Sequence, residues 1–408
     1  MNPLNEQHHP QPIVPVERPQ QVDVMLELIQ TSSFIQATTA RSTFNVSGKN
    51  LTAAVLDTGL RTTHVDFAGK VVAQRNFTTD NGGNVNNASD GNGHGTNVGG
   101  IIVANKINIG IAPGANIVPL KVLSNTGGGS FTAVRDALQW VLNNHVAHKI
   151  SVVNLSLGDS GNYPNDDAFA ADGVRDLIKK LSAKRVAVVI AAGNDFFRHN
   201  SKQGMGYPGI CREAISVGAV YDANEGAFSY LSGAKAFSTG PGRLTPFTQR
   251  LHETSHAACR TDIFAPGAPI TSSGITSDTA FSIQHGTSQA SPVTAGVVLL
   301  LQEYYQRVAK TLAVRYPATF KAPFLPSVPL LVQCLREGGV AIKDGDDEDD
   351  NVVNTGLTYI RLDALLALRR MSRYFRRYLL LPFDEQQTTN PKTEMLVEHE
   401  VPELALQD

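Results

Sequence analysis

The chain has 408 residues, with 35 Lys and Arg against 37 Asp and Glu, and is 42% hydrophobic and 18% charged. That is an ordinary globular composition, which excludes a collagen, a coiled coil and wholesale disorder. A formal net charge of −2 supplies no global basic field for nucleic acid or an anionic membrane, so any such binding would have to be local, and no nucleic acid partner is expected.

In chain order, the first residues carry Pro10, Pro12, Pro15 and Pro19 among His, Gln and Glu. They lack the charged start and apolar stretch of a secretory signal, so the default expectation is the cytoplasm, or secretion if the true N-terminus lies upstream. Residues 1–33 and 382–408 are poor in aromatic residues and read as flexible tails, the first as a tail or short leader. Between them, short β-branched runs at Thr52–Leu56, Ile117–Leu123, Ser151–Ser156, Val186–Ala192 and Ala214–Val220 read as strands buried on both faces. Thr132–Lys149 sets Val134, Ala137, Leu138, Val141 and Leu142 at helical spacing, and Phe169, Leu177, Ile178 and Leu181 partly repeat the pattern. Strand and helix in alternation predict right-handed crossovers and an α/β fold with a mostly parallel sheet. The longest apolar run, Val293–Leu301, stops far short of a membrane span. Cys211, Cys259 and Cys334 are odd in number and widely spaced, as reduced structural thiols would be.

Open α/β sheets bind ligands where strands end and loops begin, and three segments stand at such places. Thr52–Gly59 is a buried strand ending in Asp57 and a turn glycine. Asp90–Gly100 surrounds His94 with glycines at a helix start, and His285–Pro292 puts Ser288 at a loop-to-helix junction. Singly, these are a turn aspartate, a loop histidine and a helix cap. Together they supply an acid, a base and a nucleophile.

In that order and context the three segments resemble the signatures of the subtilisin-like serine proteases. The resemblance implies a three-layer fold, with a mostly parallel sheet flanked by helices, in one domain at residues 34–381. It also implies endopeptidase cleavage of extended polypeptide by a catalytic triad of Asp57, His94 and Ser288. Val188–Asn194 resembles the segment whose asparagine donates to the oxyanion, here Asn194. Leu155–Gly158 resembles the edge strand that pairs with substrate. Ser156, Leu157 and Gly158 would then face Ala191, Ala192 and Gly193 across the pocket for the residue before the cut, with Gly206 as its floor. A glycine floor and no acid within that motif imply a large apolar residue there. Protein or peptide substrates, a monomer and no required cofactor are the corresponding expectations.

Departures from the family pattern matter as well. Gln289 follows the nucleophile where the family usually has Met, so activity is expected to resist dilute peroxide; rapid inactivation would oppose this. Asp66 stands at the family's calcium position, but Ala104–Gly110 is shorter than the usual calcium loop, so that site reads as degenerate. About 56 residues precede Asp57, fewer than the usual folding prodomain needs. This fits an intracellular type with a short leader, or a sequence that begins after its leader.

An insertion at about 237–262 holds His252-Glu253-Thr-Ser-His256. On a helix this spacing would put both imidazoles on one face for zinc, the alternative being a surface loop. A zinc hydrolase and a non-catalytic peptide-binding module are therefore the rival functions. The acidic run Asp344–Asp350 reads as a solvated loop, lacking the glycine and distal glutamate of an EF-hand. Arg361–Leu380 reads as an amphipathic basic helix packed on the core, with an anionic surface as the alternative partner.

Overall fold

The computed structural model describes residues 4–5, 26–317, 320 and 324–379. Its centre is a nine-stranded sheet in the order Val340–Lys343, Thr358–Arg361, Ile263–Pro266, Ile215–Val220, Ala187–Ala191, Ile150–Leu155, Thr52–Asp57, Asn116–Lys121, Arg75–Asn76. Every neighbouring pair is parallel except Val340–Lys343 with Thr358–Arg361. All five expected strands are present, shifted by a residue or two at their ends.

Alternation along these strands builds the three layers, because successive side chains point to opposite faces. Ala53 and Val55 join one hydrophobic cluster with α3 (His94–Val103) and α6 (Thr287–Arg315). Ala54 and Leu56 join the other, with α4 (Phe131–Asn144) and α5 (Gly173–Ala183). Both faces are therefore apolar, which is why the strands read as continuous hydrophobic runs. The helix expected at Thr132–Lys149 is α4, ending at Asn144, and Phe169 sits in a short turn ahead of α5. The basic helix is α8 (Ala364–Leu379), preceded by a strand ending at Arg361. It buries Leu365, Leu368, Met371 and Phe375 in the core and turns Arg373 and Arg376 outward. No helix of the described residues is long and apolar enough to cross a membrane.

One boundary differs from expectation. The expected tail at 1–33 contains α1 (Leu26–Phe34), which buries Leu28 and Thr31, so residues 26–33 belong to the folded body. The C-terminal tail 382–408 and residues 6–25 lie outside the described residues. Within the inserted segment, His252–Ala258 is the surface turn expected as the alternative to a zinc helix, whereas Leu244–Leu251 ahead of it is buried throughout. Within the acidic run, Asp344 is fully buried 3.3 Å from the equally buried Arg250, whose guanidinium lies over Phe196. Asp346 and Asp347 remain exposed as expected of a solvated loop.

The docking of α1 has a pH signature. Thr31 Oγ1 and Gln30 Nε2 donate to Asp222 at 2.6 and 3.1 Å, and burial pushes this carboxyl from 3.8 up to about 6. The folded chain therefore holds the proton more tightly than the unfolded one, and this group's contribution to stability declines as pH rises from about 4 to about 6. Asp222→Asn is expected to match the parent near pH 4 and to exceed it by about 2 kcal/mol above pH 6 in urea melts. A difference that stays constant across that window would refute this assignment.

Candidate active site

Strand register puts the site together. Leu56 pairs with Leu155, so the residues that follow, Asp57 and Ser156, leave the sheet side by side at its C-terminal edge. His94 is the first residue of α3, which packs back on the strand end because Gly95 has no Cβ: one would stand 2.3 Å from the Gly59 carbonyl oxygen. Asp57 Oδ1 lies 2.7 Å from His94 Nδ1 and also accepts from the Thr58 N–H at 2.7 Å. Both side chains are buried. The carboxylate is thus fixed by a backbone donor, and it fixes the imidazole.

Asp90, quoted above only as the first residue of its motif, turns out to organise this corner. Its Oδ1 accepts from Thr58 Oγ1 and the N–H groups of Asn92 and Gly93, and its Oδ2 from the N–H and hydroxyl of Thr96. One carboxylate therefore caps the start of α3 and ties it to the strand carrying Asp57, where it also complements the helix dipole. An acid four residues before a glycine-flanked histidine at a helix start was the available signal. Lys121, fully buried, adds a second tie by donating to the Thr58 carbonyl at 2.6 Å. A lone lysine in a strand gave no such hint.

Ser288 is the second residue of α6 and is 3% exposed. Pro292 lacks the N–H that would bond the Ser288 carbonyl in an unbroken helix. Ser156 Oγ takes that place, donating to the Ser288 carbonyl at 2.6 Å, while Ser288 Oγ donates to the Ser156 carbonyl at 3.1 Å. Reciprocal bonds thus lock the hydroxyl-bearing turn to the strand end beside Asp57. On the other side Gln289 Nε2 contacts Asn97 Oδ1 at 3.4 Å, one turn beyond His94. Gln289 is fully buried in the position next to the hydroxyl.

Asn194 follows the strand Ala187–Ala191. Its Oδ1 accepts from the Thr287 N–H and Oγ1, both at 2.9 Å. With that oxygen held, the amide N–H₂ is set facing away from Thr287, an orientation sequence could not supply. The segments named for the pocket also converge. Gly193 N–H reaches Thr287 Oγ1 at 3.3 Å, Gly206 N–H donates to the Ala192 carbonyl at 2.9 Å, and Asp159 N–H donates to the Tyr207 carbonyl at 2.9 Å. These bonds tie the Gly158–Asp159 and Ala192–Gly193 segments to the Gly206–Tyr207 segment. Leu4–Asn5 adds antiparallel to Gly128–Gly129, so that half-buried segment accepts an extended strand of this chain itself.

The metal candidates do not fit. His252 and His256 lie in a turn rather than on a helix; His252 Nε2 meets the Thr358 carbonyl at 3.0 Å, and His256 Nδ1 accepts from the Cys259 N–H. Asp66 is fully buried, with Oδ1 accepting from the N–H groups of Lys106, Ile107 and Asn108, and Oδ2 from Asn108 Nδ2 and Ser273 Oγ. The short loop thus fills the carboxylate with protein donors, leaving calcium no oxygen to share. Asp66→Ala is expected to cost about 3 kcal/mol by orphaning buried N–H groups. Thermal melts should give the same loss in calcium and in chelator, whereas a loss seen only in calcium would reinstate an ion there.

An aspartate, histidine and serine gathered at the C-terminal edge of a parallel sheet, with a fixed amide alongside, define the class of α/β serine hydrolases. Comparison with known proteins makes this specific: the subtilase family, peptidase family S8, matches residues 48–322, and the chain belongs to that family. It is 31% identical over 265 residues to the major intracellular serine protease of Bacillus subtilis, covering 64% of this chain and 70% of that one. It is 30% identical over 261 residues to subtilisin DY of Bacillus licheniformis, covering 63% and 78%. With the extracellular serine proteinase of a Thermus strain it shares 32% over 265 residues, 65% of this chain and 53% of the other. The protein is a serine endopeptidase with the subtilisin fold, and neither rival function is favoured.

Proposed function

We propose that this chain cuts extended polypeptides through an acyl-enzyme formed on Ser288, with His94 as base. The observation that carries the assignment is the buried 2.7 Å contact of Asp57 with His94 Nδ1. It holds the imidazole with Nδ1 protonated, so that Nε2 is the nitrogen able to take a proton. Ser288 Oγ turns from the Ser156 carbonyl toward Nε2, gives up its proton and attacks the peptide carbonyl. The carbonyl oxygen becomes negative between Asn194 Nδ2 and the Ser288 N–H, which are in position before the charge develops. His94 then passes the proton to the departing amine. Water, activated by the same imidazole, releases the acyl group.

Strand pairing at Ser156–Gly158 would hold the substrate extended; the pairing of Leu4–Asn5 with Gly128–Gly129 supports this as an example of such addition elsewhere on the chain. A serine-directed fluorophosphonate probe should label Ser288 in the native protein, and casein should be cleaved by it but not by Ser288→Ala. Activity that survives the probe but is lost to a zinc chelator would overturn the reading.

A further inference from the structure

The motif around Gly206 contains no acid, but the folded pocket does. Asp159 is only 6% exposed, and its Oδ1 lies 3.6 Å from where a Cβ on Gly206 would stand, at the pocket floor. The carboxylate accepts from the Gly161 N–H at 3.0 Å, the Tyr207 N–H at 2.9 Å and the Tyr163 hydroxyl at 2.8 Å. All three donors are neutral, and no lysine or arginine of the described residues pairs with it. Its negative charge is therefore oriented and not cancelled.

A second acceptor comes from the insertion. Gln249 is fully buried beneath Gly193, with Oε1 2.0 Å from where a Cβ on that glycine would stand. Only glycine is compatible with this approach, and the φ of +114° at Gly193 demands it as well. Gln249 Nε2 donates to the Gly161 carbonyl at 2.9 Å and to Asn162 Oδ1 at 2.8 Å, whereas Oε1 has no hydrogen-bond donor among the described residues. Gly161 thus carries Asp159 on its N–H and Gln249 on its carbonyl. Two acceptors, one a carboxylate and one unsatisfied, are thus tied to one residue, Gly161, behind Gly206 and Gly193. A buried acceptor without a donor is costly, and a substrate group bearing N–H donors and positive charge would relieve both conditions.

We propose that Asp159 and Gln249 make this pocket select lysine or arginine as the residue preceding the cut, in place of the apolar residue its glycine floor alone implies. The inference rests on the peptidase reading above. Peptide anilides differing only at that residue provide the test, read as kcat/KM, together with the sites cut in casein by mass spectrometry. The native enzyme should favour Lys or Arg over Leu or Phe by about tenfold or more, with casein cut mainly after basic residues. Asp159→Asn should lower the Lys-to-Leu ratio about tenfold. If Asp159→Asn does not fold, Gln249→Leu with a native melting profile should still reduce the ratio several-fold. Native cleavage that favours Leu or Phe, or ratios unmoved by a folded variant, overturns the selection and leaves the peptidase reading standing. No cleavage of any substrate, with Ser288 unlabelled by the fluorophosphonate, is instead the failure of that reading.

Discussion

Ser288→Ala is expected to lower turnover about a million-fold, the loss known from the same substitution in subtilisin, and adding His94→Ala should lower it hardly further. The reason is that the two groups act as one unit: the imidazole has no proton to accept once the hydroxyl is gone. Asp57→Ala should cost less, about 10⁴-fold, because the imidazole survives without its orienting partner. Single and double variants assayed on one peptide anilide check this. Losses that multiply in the double variant would show that Ser288 and His94 act independently, contrary to the proton transfer proposed here.

The second large effect belongs to Asn194. Asn194→Ala should reduce kcat by about 10²–10³-fold with little change in KM, since its amide meets charge that exists only in the transition state. Thr287 gives a more discriminating variant. Its hydroxyl and N–H both hold Asn194 Oδ1, so Thr287→Val keeps the backbone bond and loses one of two restraints on the amide. A drop of about tenfold in kcat, again without a matching rise in KM, is expected. A change confined to KM would assign Asn194 to ground-state binding instead.

Much of this was legible in the sequence. Runs such as Val188–Ala192 are apolar at every position, which only a strand covered on both faces tolerates, and the helical spacing of Val134, Ala137, Leu138 and Val141 supplied the cover. Asp57, His94, Ser288 and Asn194 could be picked out as candidates because each sits at an abrupt change from apolar run to glycine or helix start. Thr287 and Lys121 could not, because each acts by bonding a residue distant in the chain, whereas Asp90 offered its spacing before His94 as a signal. The inserted segment misled for a related reason. Its prolines, glycines and polar residues read as surface, yet Arg250 and Gln249 are buried because Asp344, Phe196 and Gly161 supply their partners.

The sequence by itself determined the layers and the family and picked out the candidate reacting groups, since hydrophobic period and local turn chemistry are properties of neighbouring residues. Only the tertiary structure decided how those groups are aimed: the 2.7 Å contact of Asp57 with His94, the Ser288 hydroxyl resting on Ser156, and Asp66 filled by amides. It also brought Asp159 and Gln249, 90 positions apart, to one residue, Gly161. Hydrogen bonds act over about 3 Å in space. Separation along the chain carries no record of them.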